Sequence, residues 1–130
     1  MKISLLGARS GKEAAAKGGM DSRISYDEQK STLKLLGMTL TEAPLEGENR
    51  QKLGSRGGVV VLVAEWDQDA YRGGVRSGDI IAEVNSTRIF SLQDLRKVLR
   101  AHDPHLPLFV FLLNSRGWRF VNLSFISALP

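Results

Sequence analysis

Gly78-Asp79-Ile80-Ile81-Ala82-Glu83-Val84-Asn85 joins a turn, a buried strand and a second turn, and its reading decides the fold. Gly78 can take a positive φ that a residue with a Cβ resists. Asp79 can accept hydrogen bonds from neighbouring backbone N–H groups, so the pair makes a tight entry to a strand. Ile80, Ile81 and Val84 supply its apolar, β-branched residues. Upstream, Gly57-Gly58-Val59-Val60-Val61-Leu62-Val63 feeds a glycine turn into an apolar run too short for a helix, which predicts a second buried strand. Between the two, Asp67-Gln68-Asp69-Ala70-Tyr71-Arg72-Gly73-Gly74-Val75 sets N-cap-type residues ahead of a single helical turn that two glycines end.

Downstream, Ser91 reads as an N-cap with Asp94 three residues on, a capping box with Asp in place of Glu. Leu92, Leu95 and Leu99 recur at helical spacing, and Lys97 and Arg100 suit a helix C-terminus, so 92–100 is the longer helix. Pro107 has no N–H for a ladder, which predicts that a strand begins just after it, at 108–113. Asn114-Ser115-Arg116-Gly117 turns the chain into 118–126, whose alternation of apolar and polar residues fits a half-buried strand.

Gly-Gly-Val-Val-Val, Gly-Asp-Ile-Ile-x-x-Val-Asn and Asp-Leu-Arg-Lys-Val-Leu, in that order, closely resemble a PDZ domain. More narrowly, the chain resembles the second PDZ domain of a bacterial Deg/HtrA-type serine protease. The resemblance covers Leu33 to Ile126 in the permuted bacterial order. It implies an α+β fold, a partly open β-barrel or sandwich of five to six strands with one short and one longer helix. Two positions depart from the pattern. Gln68-Asp69-Ala70 replaces Ser-Pro-Ala before the short helix, and Asn85-Ser86 replaces Asn-Gly after the second strand, where Ser86 tolerates left-handed backbone less well than glycine.

A sheet edge carries unpaired N–H and C=O groups, so an extended peptide can add itself as a strand while side-chain pockets select it. Leu35-Leu36-Gly37-Met38 matches the family's apolar-Gly-apolar loop, which implies that the amides of Leu36, Gly37 and Met38 converge on a peptide's terminal carboxylate. Thr39, Leu40 and Thr41 then form the strand the peptide pairs with, and the helix carrying Leu92, Arg96 and Leu99 forms the other wall. Leu36, Met38, Leu40, Leu92 and Leu99 line a pocket for the ligand's last side chain, leaving Arg96 to meet an acidic ligand residue. The plainer readings stay open: an ordinary strand bend at Leu36-Gly37-Met38, and a helix whose leucines are simply core. The implied function is recognition of hydrophobic C-termini or extended segments of unfolded or partner proteins, for substrate delivery or regulation. The alternative is an assembly module, its groove closed or self-occupied, that holds subunits of a homo-oligomeric protease. The resemblance also implies a periplasmic or envelope setting and a role in protein quality control.

Composition is consistent with one modest domain: 130 residues, 42% of them hydrophobic. The expected division is a linker, tag or end of a preceding domain at 1–32, the PDZ-like domain at 33–126 and a tail at 127–130. Lys12-Glu13-Ala14-Ala15-Ala16-Lys17 has spacer-like composition. The apolar run in Met1-Lys2-Ile3-Ser4-Leu5-Leu6-Gly7 is shorter than a signal peptide requires. No run of about 18 apolar residues is present. Zero cysteines exclude disulfides and thiolate metal sites. The net charge of +4 comes from basic residues interspersed with acidic ones, so no nucleic-acid partner is expected and a membrane surface is a minor reading.

Catalysis has little support. No Gly-x-Ser-x-Gly or Gly-Asp-Ser-Gly-Gly segment positions a nucleophile, so a protease active site would lie outside this chain. Both histidines fall in Ala101-His102-Asp103-Pro104-His105, where Pro104 breaks the helical geometry that would align metal ligands. Gly54-Ser55-Arg56-Gly57-Gly58 lacks the Lys-Ser/Thr of a phosphate loop. Neither a cofactor nor a metal is expected.

Overall fold

The computed structural model describes residues 23–125. In chain order the elements are β1 (Ile24–Asp27), β2 (Thr32–Leu35), β3 (Met38–Pro44), α1 (Gly47–Leu53), β4 (Gly57–Ala64) and α2 (Asp69–Arg72). They continue with β5 (Ile80–Val84), β6 (Thr87–Arg88), α3 (Leu92–Ala101), β7 (Leu108–Asn114) and β8 (Gly117–Leu123). All strand pairings are antiparallel, in the order β1-β2-β3-β4-β5-β7-β8, with β6 hung on β5. The two ends of this sheet are tied: the Arg23 guanidinium, just before β1, donates to the carbonyl of Phe125, just after β8.

The strands expected at 57–63, 80–84 and 108–113 and the helix expected at 92–100 are β4, β5, β7 and α3. β5 is nearly all buried, as suits a strand covered on both faces. Ile81 and Val84 face the main core, while Ile80 and Ala82 face a smaller cluster with Leu45, Leu53 and Leu113 on the opposite side. An irregularity in the β5–β7 register between Ile81 and Glu83 resets the alternation. The smaller cluster is roofed by α1, a helix the sequence reading missed because only Leu53 of it is buried and no apolar period runs through it.

The front of the domain and the number of elements differ in detail from the expectation. Residues 24–32, within the stretch read as a linker, tag or end of a preceding domain, contain β1 and the turn into β2, with Ile24 buried. The expected α+β, PDZ-like class holds, and among the described residues the elements number eight strands and three helices against the expected five to six strands and two helices. The spacer-like residues 12–17, the start of the chain and residue 126, where the last strand was expected to end, lie outside the described residues.

Candidate functional site

β3 was expected to offer a free edge, and the structure places its own neighbour there. β2 runs antiparallel along it with Leu35 opposite Met38, Lys34 opposite Thr39, Leu33 opposite Leu40 and Thr32 opposite Thr41. The other edge of β3 is taken by β4. Thr39, Leu40 and Thr41 therefore form a paired strand, but its partner is the chain itself.

The apolar-Gly-apolar segment is the two-residue turn of this hairpin. Leu36 has φ 53° and Gly37 φ 89°, the doubly left-handed backbone that matches strand twist. Gly37 is required twice over, since a Cβ there would meet the Cβ of Gln68 at 2.3 Å. Leu36 bears left-handed strain of about 1–2 kcal/mol, offset by the burial of its side chain. The Leu36 N–H donates to the carbonyl of Arg23 at 3.1 Å. The Leu36 carbonyl accepts from the Ala70 N–H at 3.0 Å, and that of Gly37 from the Glu65 N–H at 2.8 Å. The turn is thus sewn to α2, and in this arrangement the Leu36 amide is already committed.

Side-chain parity puts Leu33 and Leu35 of β2 on the same face as Met38 and Leu40. All four belong to one core cluster with Leu36, Leu92, Leu95 and Leu99. The apolar space expected to receive a ligand's last side chain holds β2's leucines. Arg96 likewise meets its own chain: its guanidinium lies over the Tyr26 ring of β1, 4.1 Å from the centroid. Its Nε is buried without a hydrogen-bond partner.

α3 is fixed against β3 by contacts the sequence only half revealed. The Ser91 hydroxyl accepts from the Asp94 N–H at 3.1 Å, as the capping box predicts. The Asp94 carboxylate reaches one residue farther back than in the usual box, to the Phe90 N–H at 2.9 Å. Glu42 of β3 accepts from the Leu92 N–H at 2.8 Å, clamping the helix N-terminus to the strand. Sequence reasoning missed Glu42, Tyr26 and Leu33. The alternation in Ile24-Ser25-Tyr26-Asp27 and Thr32-Leu33-Lys34-Leu35 was the available signal for the hairpin that carries two of them.

A mixed-charge cleft opens beside the turn, lined by Arg23, Lys34, Gly37, Gln68, Asp69 and Arg72 among others. Three of its charged groups pair, with Asp69 3.7 Å from Arg23 and 3.8 Å from Arg72.

The histidines have separate surroundings. The Asn85 carbonyl oxygen accepts from the Phe109 N–H at 3.0 Å, so its amide nitrogen donates to Nδ1 of His102, also at 3.0 Å. Nε2 of His102 then carries the proton and donates to the Leu106 carbonyl at 2.9 Å. This clasp holds the Asn85-Ser86 turn, where both residues have positive φ. Asp103 is exposed, and the backbone N–H of His105, then its ring, hold the carboxyl below the usual carboxylate range. Among the described residues no three metal-ligating side chains gather.

A PDZ domain family model matches residues 68–112, from the N-cap of α2 into β7. The chain is similar to the HtrA3 PDZ domain bound to a phage-derived ligand, FGRWV. Identity is 17% and the TM-score 0.52, over 69% of this chain and 82% of that one. It is also similar to the HtrA-type protease AlgW with a decapeptide, at 21% identity and a TM-score of 0.53, over 68% of this chain. That match spans only 27% of the AlgW chain. No curated protein sequence matches. The fold is PDZ-like: among the described residues, a mostly antiparallel sheet with three short helices.

Proposed function

We propose that this chain is a non-catalytic PDZ-type recognition module of the kind carried by HtrA-like proteases, taking an extended, apolar-ended segment along β3 by strand addition. One observation carries this reading: such a segment lies there, antiparallel, with Leu33 and Leu35 inward and Leu35 against the Leu36-Gly37-Met38 turn. The occupant is the chain's own β2. An outside C-terminus binds by replacing it, with its carboxylate at the turn and its last side chain in the space Leu35 leaves. The HtrA3 domain and AlgW, both seen with peptides, support this direction. A typical open groove binds at about micromolar Kd; a hairpin docked 99% of the time weakens that about a hundredfold.

The same occupancy favours a second reading, an assembly module whose groove is permanently filled and which holds neighbouring subunits. A two-dimensional NMR titration with a peptide ending in a free apolar C-terminus, beside its amidated twin, separates the two. Saturable shifts at Leu33 to Met38 that the amide fails to reproduce support ligand exchange. Silence at those residues, with an oligomer seen by light scattering, removes peptide capture and leaves assembly.

A further inference from the structure

We infer that a second binding site lies in a cavity between the turn after α2 and the β7–β8 turn, and that it takes a phosphate-bearing group. The cavity is lined by Arg76, Ser77, Ser115, Arg116 and Arg119, together with Gly74, Asp79 and flanking backbone. Its three guanidinium groups come from two stretches of chain, Arg76 from the turn after α2 and Arg116 and Arg119 from the β7–β8 hairpin, and none is in an ion pair among the described residues.

Two of them are held in place. Nη1 of Arg76 donates to the carbonyls of Tyr71 at 2.8 Å and Val75 at 2.9 Å, and its guanidinium lies 3.7 Å from the centroid of the Tyr71 ring. Nη1 of Arg119 donates to the Gly74 carbonyl at 3.2 Å. Gly74 has φ 107°, and a Cβ there would sit 2.7 Å from Nη2 of Arg119, so glycine at 74 is what lets that guanidinium lie down on the backbone. A guanidinium carries five donor hydrogens, and these contacts use only part of each set. The lone acid of the lining, Asp79, is 2% exposed and accepts from the Arg76 backbone N–H at 2.9 Å. It fixes the turn and leaves the cavity positive.

The geometry selects phosphate over a carboxylate. A carboxylate is satisfied by one arginine fork, whereas a phosphate presents acceptor oxygens in several directions, which suits a lining with three arginines and the hydroxyl-bearing Ser77 and Ser115. The phosphate can belong to a soluble molecule or to a lipid headgroup.

The test is an NMR titration of the whole chain with inorganic phosphate at constant ionic strength, against chloride, beside sedimentation with phosphatidylcholine vesicles with and without phosphatidic acid. Saturable shifts at Gly74, Arg76, Ser115 and Arg116, weakened at least tenfold by Arg116→Ala and unaltered by Arg100→Ala on α3, support the site. Arg116 makes no side-chain contact that folding needs, so this variant serves even where Arg119→Ala fails to fold. Vesicle binding that needs both phosphatidic acid and Arg116 assigns the headgroup as the source. Phosphate binding without vesicle binding assigns a soluble ligand. Shifts that never saturate, or that persist equally in Arg116→Ala, overturn the site. Because the peptide titration reads Leu33 to Met38, failure of either proposal leaves the other standing.

Discussion

At the scale of single residues, glycines with similar backbone angles differ in what surrounds them. Gly37 and Gly78 have φ of 89° and 93°, but only Gly37 has a neighbour within reach of an added Cβ. Gly78→Ala should therefore cost only left-handed strain, about 1 kcal/mol, while Gly37→Ala adds a collision with Gln68 and should cost about 3 kcal/mol or more. Urea unfolding of the two variants checks the order; equal losses contradict the close packing of the turn against Gln68. Asn85 offers a second comparison. Asn85→Gly keeps the positive φ but removes the two side-chain hydrogen bonds, to the Phe109 N–H and to His102, and should lower stability by about 1–2 kcal/mol. Gly78 and Asn85 were legible in the sequence because conformational demands act locally. The partner of Gly37 was not, because Gln68 lies 31 residues away and nothing in either residue's neighbourhood announces the other.

At the scale of elements, β4, β5, α3 and β7 were readable because each carries its own period or its own cap. Ser91→Ala should cost about 1 kcal/mol through the lost N-cap, and Glu42→Ala should loosen the same helix end from the strand side. Circular dichroism melts of the single and double variants check this; the double loss should depart from the sum, since both side chains serve the first turn of α3. β1 and β2 were harder to read. Each is four residues long, too short for alternation to stand out from a polar linker, and what makes them strands is the pairing of β2 with β3 and of β1 with β2. Their contribution is measurable. Leu35→Ala should cost about 2–5 kcal/mol and Lys34→Ala, which faces out, no more than about 0.5. Comparable small losses at both positions would show that the hairpin is not docked.

At the scale of the whole molecule, the PDZ-like architecture was legible because its defining segments lie in register from 57 to 113, largely where the family match falls. The state of the groove was not legible, since whether an edge is open depends on which distant segment reaches it first. The turn at Leu36-Gly37 is only two residues long, so β2 is held beside β3 at an effective concentration that a free peptide must overcome. The same topology leaves β1 and β8 as the outer strands of the sheet, with Trp118 and Phe120 of β8 exposed. The central claim, that the chain's own hairpin fills the edge of β3, is tested most directly by amide hydrogen exchange. In a two-residue hairpin the closing pair is hydrogen-bonded, so Met38 and, two residues on, Leu40 turn their amides toward β2. Protection of both amides approaching that of β5 and β7 is the expected result. Exchange at Met38 and Leu40 as fast as at an unpaired strand edge would contradict the account.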